Sequence, residues 1–174
     1  MPMLRELLRE RRDEVARVWL EDTLSSYPAR AALAWSRESD PFANPVGHSL
    51  RVGTVAVLDW LLSGEVDAVR QGLDDVLRIR AIQELSPKDA VRFVFRLKAV
   101  MRAELGEALR DATVRQELVE METRIDELGL LAFELFVAHR ERLYELRVAE
   151  LKRSIPWLAA RGELAAAEER EARR

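Results

Sequence analysis

Residues 111–154 carry the longest run of helical periodicity in the chain and read DATVRQELVEMETRIDELGLLAFELFVAHRERLYELRVAELKRS. Apolar residues recur here in steps of mostly four and three, which places them on one face of an α-helix and is close to a heptad repeat. The pattern therefore predicts one long amphipathic helix from about Asp111 to Ser154. The members of this main stripe are Val114, Leu118, Met121, Ile125, Leu128, Ala132, Leu135, His139, Leu143 and Leu146.

The same helix carries a second apolar stripe. At 1.5 Å per residue the helix would be about 65 Å long, whereas a compact domain of this size is about 30–40 Å across. A helix with two apolar stripes needs partners on two sides, so we predict a homodimer. The second stripe consists of Val119, Leu130, Phe133, Val137 and Tyr144.

Capping residues mark further helices upstream. The clearest start is Ser86-Pro87-Lys88-Asp89, where Ser86 is the N-cap, Pro87 takes the first helical position and the Asp89 carboxylate faces free amides. Asn44 before Pro45 is a second N-cap, and Ser63-Gly64 is expected to close the helix that it starts. The predicted helices cover about residues 3–24, 44–62, 65–85 and 86–109, with a connection at 25–44 that contains a helical turn or two.

No pair of β-strands is recognisable, and Ile155-Pro156 is expected to end the long helix. The chain is therefore predicted to be all-α, a single-domain helical bundle of about five main helices with one long C-terminal helix. We expect a domain at residues 1–156 and a charged C-terminal tail at 157–174.

The composition excludes several classes of function. With 28 basic and 31 acidic residues the net charge is −3, which gives no overall attraction to nucleic acid or to an anionic membrane. The chain has no cysteine, which excludes disulfides and thiolate chemistry. The longest apolar run, residues 55–62, is interrupted by Asp59 and is too short to span a bilayer. We expect a cytoplasmic protein with neither nucleic acid nor membrane as a partner.

Catalytic and metal-binding motifs are not found. The two histidines, His48 and His139, lack the H-x-x-H and H-E-x-x-H spacings of a metal site, and there is neither a nucleophile elbow nor a phosphate loop. We therefore expect no enzyme, no metal and no cofactor. The alternative is that His139, on the main stripe of the long helix, points into an apolar layer and ligates a haem.

Four charged residues interrupt apolar helix faces: Asp59, Lys98, Asp126 and Arg140. Each needs a partner from another helix, a second subunit or a ligand, because an unpaired buried charge is costly. Asp126 and Arg140 lie about 21 Å apart along one helix and cannot pair with each other. Structural ion pairs, or side chains that reach solvent at the rim, are the alternative interpretation.

Four segments together carry a family resemblance: DPFANPVGHSL at 40–50, VLRIRAIQEL at 76–85, SPKDAVRFVFRLK at 86–98 and ETRIDELGLLAFELFVAHRERLYELR at 122–147. In this order, and over about residues 19–152, the chain resembles the N-terminal domain of the RsbRD-type co-antagonists of RsbT, proteins of the bacterial stressosome. The combination of segments is specific, whereas each one alone would be weak.

The resemblance implies the sensory half of a bacterial signalling protein, with a dimeric, helical, globin-related fold that holds no haem. It places nine residues as candidates for a polar pocket that binds a ligand or a partner. In full-length relatives a STAS domain follows, which binds the partner kinase and is phosphorylated. This chain stops at Arg174, so we expect it to act without that domain. The candidates are Asn44, His48, Arg78, Arg80, Gln83, Lys98, Asp126, Arg140 and Tyr144.

Together these observations predict a sensory or regulatory domain that binds a small ligand or a signalling protein and works as a dimer. The alternative is a structural or adaptor protein without a ligand. That protein would dock a partner through the long helix and the tail.

Overall fold

The structure is a computed structural model, and it describes the chain at residues 2–37, 40, 42–64 and 66–171. The side chains of residues 2, 37, 66–68 and 156–171 lie outside this description. The chain divides into two compact units, Met1–Val137 and Ala138–Arg174, and helix α7 contributes to both.

Within the described residues the chain forms seven α-helices and one short 3₁₀ helix, without any strand. The all-α fold class and the helical bundle are therefore confirmed. The predicted relation to the globin fold stays a prediction. The helices are α1 (Pro2–Glu10), α2 (Arg12–Leu24), α3 (Ala29–Arg37), α4 (Pro45–Ser63), α5 (Val66–Ile82), α6 (Pro87–Leu105), the 3₁₀ helix (Gly106–Arg110) and α7 (Ala112–Glu171).

The predicted caps position α4 and α6. The Asn44 side chain accepts a hydrogen bond from the Gly47 amide at 2.9 Å, and Gly64 closes α4 in the left-handed region with φ of 91°. Ser86 accepts from the Asp89 amide at 3.2 Å, and its hydroxyl donates to the Asp89 carboxylate at 2.6 Å. Both helices therefore begin where the sequence predicts.

The core of the first unit is built on Trp19 of α2. Its ring is fully buried and stacks on Phe93 of α6 with centroids 6.0 Å apart, and its indole N–H donates to the Phe93 carbonyl at 2.7 Å. From α7 the first seven residues of the main stripe, Val114 to Leu135, are buried, as the periodicity predicts. Beyond them His139 and Leu143 are half-buried and Leu146 is exposed, so the buried part of the stripe ends with the first unit.

Three helix boundaries differ from the predictions. The first predicted helix is two helices, because the backbone of Arg11, with φ of −106° and ψ of 12°, departs from helical geometry between α1 and α2. The connection after α2 contains a full helix, α3. The long helix does not end at Pro156 but runs on to Glu171. A proline removes one N–H and kinks a helix, and the alanine- and glutamate-rich residues that follow are strong helix formers.

In the second unit none of the described side chains, residues 138–155, is buried. Several are large and apolar and yet exposed: Tyr144, Leu146, Val148, Leu151 and Ile155.

Candidate functional site

The candidate site is centred on Arg80, near the C-terminal end of α5. Helical spacing places this residue on the same stripe as the buried Leu73, Val76 and Leu77, so the helix directs a guanidinium into the apolar core. Its exposed fraction is 1%, which makes it one of the largest fully buried side chains of the described residues. An arginine cannot become neutral there at ordinary pH, so the site contains a buried positive charge.

Aromatic rings and one pair of carbonyls hold the guanidinium in place. Its central carbon lies 4.6 Å from the centre of the Phe93 ring and 5.3 Å from that of Tyr27. Nη1 donates to the carbonyl oxygens of Asp89 and Ala90 at 3.0 and 3.2 Å. The hydrogen bonds thus account for Nη1, and the two rings provide cation–π contacts to the guanidinium.

The other edge of the guanidinium has no protein partner. Both Nε and Nη2 of Arg80 are shielded from solvent, and neither donates a hydrogen bond. Among the described residues no carboxylate forms an ion pair with Arg80. Burial lowers the pKa of Arg80, and the neighbouring Tyr27 opposes that effect. Burial also raises the pKa of Tyr27, while the charge of Arg80 lowers it.

Other unpartnered polar atoms belong to the same region. The Thr23 hydroxyl, the Tyr27 hydroxyl and the Gln83 carbonyl oxygen are all buried without a hydrogen-bond partner. Thr23 lies in the last turn of α2, Tyr27 in the turn that follows α2, and Gln83 follows α5 directly. Most buried polar groups in folded proteins are hydrogen-bonded, so the unpartnered atoms of Arg80 and Thr23, which line one cavity, make this cavity the candidate site.

A cavity of about 360 Å³ opens beside Arg80. That volume lies in the range of small-molecule sites. Two of its acidic residues are already paired: Asp22 with Arg96, and Asp89 with Arg92 at 3.5 Å. The lining residues come from the end of α2, the end of α5 and the first turns of α6: Asp22, Thr23, Ser25, Ser26, Arg80, Leu85, Asp89, Arg92, Phe93 and Arg96.

The turn between α5 and α6 fixes the position of Arg80. The Leu85 amide donates to the Arg80 carbonyl at 3.4 Å and the Glu84 amide to the Ala81 carbonyl at 3.2 Å, which is the hydrogen-bond pattern of a Schellman motif. Glu84 occupies the left-handed position with φ of 59°, where glycine is usual. The backbone at the end of α5 is therefore strained beside the site.

None of the other candidates from the sequence is among the residues that line the cavity beside Arg80, although Gln83 has a buried carbonyl oxygen without a partner. Asn44 caps α4, and its amide nitrogen donates to the Trp35 carbonyl at 2.8 Å; His48 is half-buried in the first turn of that helix. Arg78 is exposed and pairs with Asp75 at 2.7 Å.

Lys98 and Asp126 form a pair between α6 and α7, with Nζ 2.6 Å from Oδ1. In the second unit Arg140 donates to the Tyr144 hydroxyl at 2.8 Å. Asp59, which interrupts the apolar run of α4, accepts from Arg12 of α2 at 2.7 and 2.9 Å. For Lys98, Asp126 and Asp59 the expected partner comes from another helix of the chain, whereas the hydrogen bond of Arg140 lies within its own helix. A role of any of them in binding stays a prediction.

Sequence reasoning missed the residues that surround Arg80, above all Thr23, Tyr27 and Phe93. The segment that ends α2 was interpreted only as a helix end, and Phe93 only as part of a helix. No spacing rule connects positions that lie about 60 residues apart. The periodicity of α5, however, could have identified Arg80 itself as a charge on an apolar stripe.

Comparisons with known proteins give one family. A family model described as RsbT co-antagonist protein rsbRD N-terminal domain matches residues 13–151. Searches of the curated proteins and of the solved structures find no match. Among the described residues, none of the helices combines the length and the apolar character needed to cross a bilayer. Nor do those residues gather three or more histidine, aspartate or glutamate side chains that could hold a metal ion.

Proposed function

The chain belongs to the family of RsbT co-antagonist RsbRD N-terminal domains, and on that premise we propose that it is a sensory domain that binds a small ligand and works as a homodimer. The family is a stressosome-type regulatory one. We propose no catalytic residues, and we place the protein in the cytoplasm of a bacterium, acting on a signalling protein.

The observation that carries the ligand-binding part is the buried edge of Arg80. A charge that is removed from water without a counter-charge costs several kcal/mol, on the order of 3–5 when one partner of a buried pair is missing. The two carbonyls and two aromatic rings recover part of that cost. A ligand that enters the neighbouring cavity and satisfies Nε and Nη2 would recover much of the rest. A ligand of this kind stabilises the folded domain and so changes its state.

The observation that favours a dimer is an apolar face on the outside of the first unit. On α7, Leu130 and Phe133 are 71% and 48% exposed and Val119 is also exposed. On α6, Phe95 is exposed as well. Three of the four, Val119, Leu130 and Phe133, belong to the second stripe, and Phe95 lies on α6, which the Lys98–Asp126 pair joins to α7. Exposed apolar side chains grouped on one helix face are typical of a protein–protein interface. We assign it to a second copy of the chain, which presents the same face.

Native mass spectrometry of protein purified from its own type of host tests both parts together. We expect a dimer that carries extra mass, and that mass would give the class of the ligand. A monomer at micromolar concentration would contradict the dimer, and a protein that never retains or responds to any small molecule would contradict the sensor.

A pair of matched substitutions locates the dimer interface. Phe133→Asp places a charge in the proposed interface and should convert the dimer to a monomer in size-exclusion chromatography with light scattering. Val52→Asp is the control, because Val52 is 47% exposed on α4 and lies outside the face. If both variants stay dimeric, the face is not the interface.

The second candidate function is an adaptor that docks a partner through α7 without a ligand. It is favoured by the exposed apolar residues of the second unit, among them Leu151 and Ile155. The side chains of the tail, residues 157–174, lie outside the described part of the chain. A clean dimer without extra mass, whose stability no metabolite changes, would support this reading over the sensor.

A further inference from the structure

We propose that the ligand of the Arg80 cavity is a small monocarboxylate, bound through both oxygens to Nε and Nη2 of Arg80. This inference rests on the proposed ligand-binding function and specifies the chemistry of that site. Its support is the geometry of the free edge, the count of charges around the cavity, and the Thr23 hydroxyl beside it.

The free edge of Arg80 has the shape of a carboxylate partner. In a guanidinium, Nε and Nη2 lie on one side and direct two parallel N–H bonds outward, at a spacing that matches the two oxygens of a carboxylate. In Arg80 this is the edge without a partner, while Nη1 is committed to the carbonyls of Asp89 and Ala90. The centres of the Phe93 and Tyr27 rings lie 4.6 and 5.3 Å from the central carbon, so the Nε–Nη2 edge is the part of the cation without a contact and favours an in-plane ligand.

The side chains that line the cavity carry a net charge of about +1, which one negative charge would neutralise. Arg96 is paired with Asp22 through two hydrogen bonds from its guanidinium. Arg92 is paired with Asp89, which also accepts from Ser86. The lining side chains therefore balance except for Arg80, and a monoanion neutralises the cavity. A phosphate or sulfate dianion would bring a second charge, and the described lining residues hold no further free cation for it.

One polar group of the cavity wall can discriminate among carboxylates. The Thr23 hydroxyl lines the cavity, is buried and lacks a partner. A ligand with a hydroxyl or keto group beside its carboxylate would engage it. Because Nε and Nη2 are shielded from solvent, binding must also move a lining side chain, which couples ligand capture to a change in the protein.

The test uses the full chain with acetate, pyruvate and benzoate as probes. Sodium chloride at equal ionic strength is the control. Inorganic phosphate and sulfate test whether a dianion binds instead of a monocarboxylate. At 100 times its Kd, a bound carboxylate should raise Tm by about 5–10 °C relative to chloride. Phosphate and sulfate should bind at least about tenfold more weakly than the best carboxylate. The Arg80 Nε–H resonance in a nitrogen–proton correlation spectrum should shift on addition of that carboxylate.

Three variants separate this site from general charge effects. Arg80→Met should abolish the response to carboxylates and leave the ligand-free Tm unchanged or higher, because it removes an unpaired buried charge. Arg80→Lys keeps the charge but loses the two parallel N–H donors, and it should weaken carboxylate binding at least about tenfold. Arg78→Met is the matched control, since it removes the same charge two residues away from an exposed pair with Asp75 and should leave the response intact.

The outcomes are distinguishable. The inference is overturned if no carboxylate stabilises the wild-type protein, if Arg80→Met or Arg80→Lys responds like wild type, or if phosphate binds more tightly than every carboxylate. Should Arg80→Met fail to fold, the lysine variant and the Arg80 resonance still decide the matter. If the carboxylates fail while host-purified protein retains a neutral ligand, the proposed sensory function stands and only this inference falls.

Discussion

The contact between α4 and α5 depends on a glycine, and Gly72→Ala tests how tightly these helices are packed. An alanine Cβ at position 72 would lie 2.9 Å from Cβ of Ala56 and 3.4 Å from Cα of Gly53. Carbon atoms in contact are normally 3.5–4.0 Å apart, so the two helices would have to separate by roughly 0.6–1 Å. Alanine gains about 1 kcal/mol in helix propensity, whereas overpacking costs about 1–3 kcal/mol. We expect a net loss of about 1 kcal/mol in the free energy of unfolding.

Gly129→Ala is the matched control because the obstacle there is of another kind. Its Cβ would meet the far end of the Phe95 ring, with Cε1 at 2.7 Å and Cε2 at 2.9 Å. The obstacle is the far end of one side chain, which can turn about its own χ angles, whereas at Gly72 the obstacle is the neighbouring helix. The same propensity gain should then offset most of the cost, leaving stability within about 0.5 kcal/mol of wild type.

Urea unfolding followed by far-UV circular dichroism, at one fixed protein concentration, measures both variants. We expect the midpoint of Gly72→Ala to fall by about 0.5 M with an unchanged slope. If Gly72→Ala proves as stable as wild type, or less affected than Gly129→Ala, the argument from close helix packing is wrong.

Two further predictions concern the core and the start of α7. Trp19→Phe removes the indole hydrogen bond to the Phe93 carbonyl and leaves a gap in the core, so the free energy of unfolding should fall by about 1–3 kcal/mol in the same urea experiment; a loss below about 0.5 kcal/mol would refute the role given to that ring. Asp111 accepts from the Thr113 amide at 2.7 Å, and this bond, with a second amide of the first turn, lowers its pKa. A depressed carboxylate pKa contributes stability above its unfolded value near pH 4 and loses it as the pH falls through the folded pKa. The stability advantage of wild type over Asp111→Asn should therefore be full at neutral pH and be lost as the pH falls from about 4 through the folded pKa, and an advantage independent of pH would refute the assignment.

Much of the fold was predictable because local rules decide it. The caps at Asn44 and Ser86 act on their own helices, and the main stripe of α7 needs only a period of 3.6 residues to select a buried face. The kink at Arg11 and the passage of α7 through Pro156 were not predictable in this way. They depend on how neighbouring helices pack and on how much one missing N–H costs within a long helix.

The site was predictable only in part, for a physical reason. Arg80 and Gln83 entered through the family resemblance, and the structure places unpartnered buried atoms on both. Their surroundings depend on contacts between the end of α2 and the start of α6, for which periodicity gives no information. Lys98 shows the opposite case, because the sequence identified it as a charge that needs a partner, and the partner is Asp126 across a helix–helix contact. A charge on an apolar stripe can thus be recognised from sequence, whereas the presence of its partner cannot.

A second arginine shows why the free edge matters more than burial or aromatic contact. The guanidinium of Arg124 on α7 lies 4.5 Å from the centre of the Trp60 ring, and burial lowers its pKa, as for Arg80. Its Nη1 and Nη2, however, donate to the carbonyls of Leu61 and Trp60 at 3.1 and 3.2 Å, in the last turn of α4. A cation at a helix C-terminus also meets the negative end of the helix dipole. Both Nη atoms of Arg124 therefore serve to join α7 to α4. We expect Arg124 to bind no ligand, and its removal to destabilise the fold. Arg80 occupies a core position that leucine or methionine would fill at lower cost. The unused pair of parallel donors in such a position is the reason for our proposal that Arg80 binds a ligand.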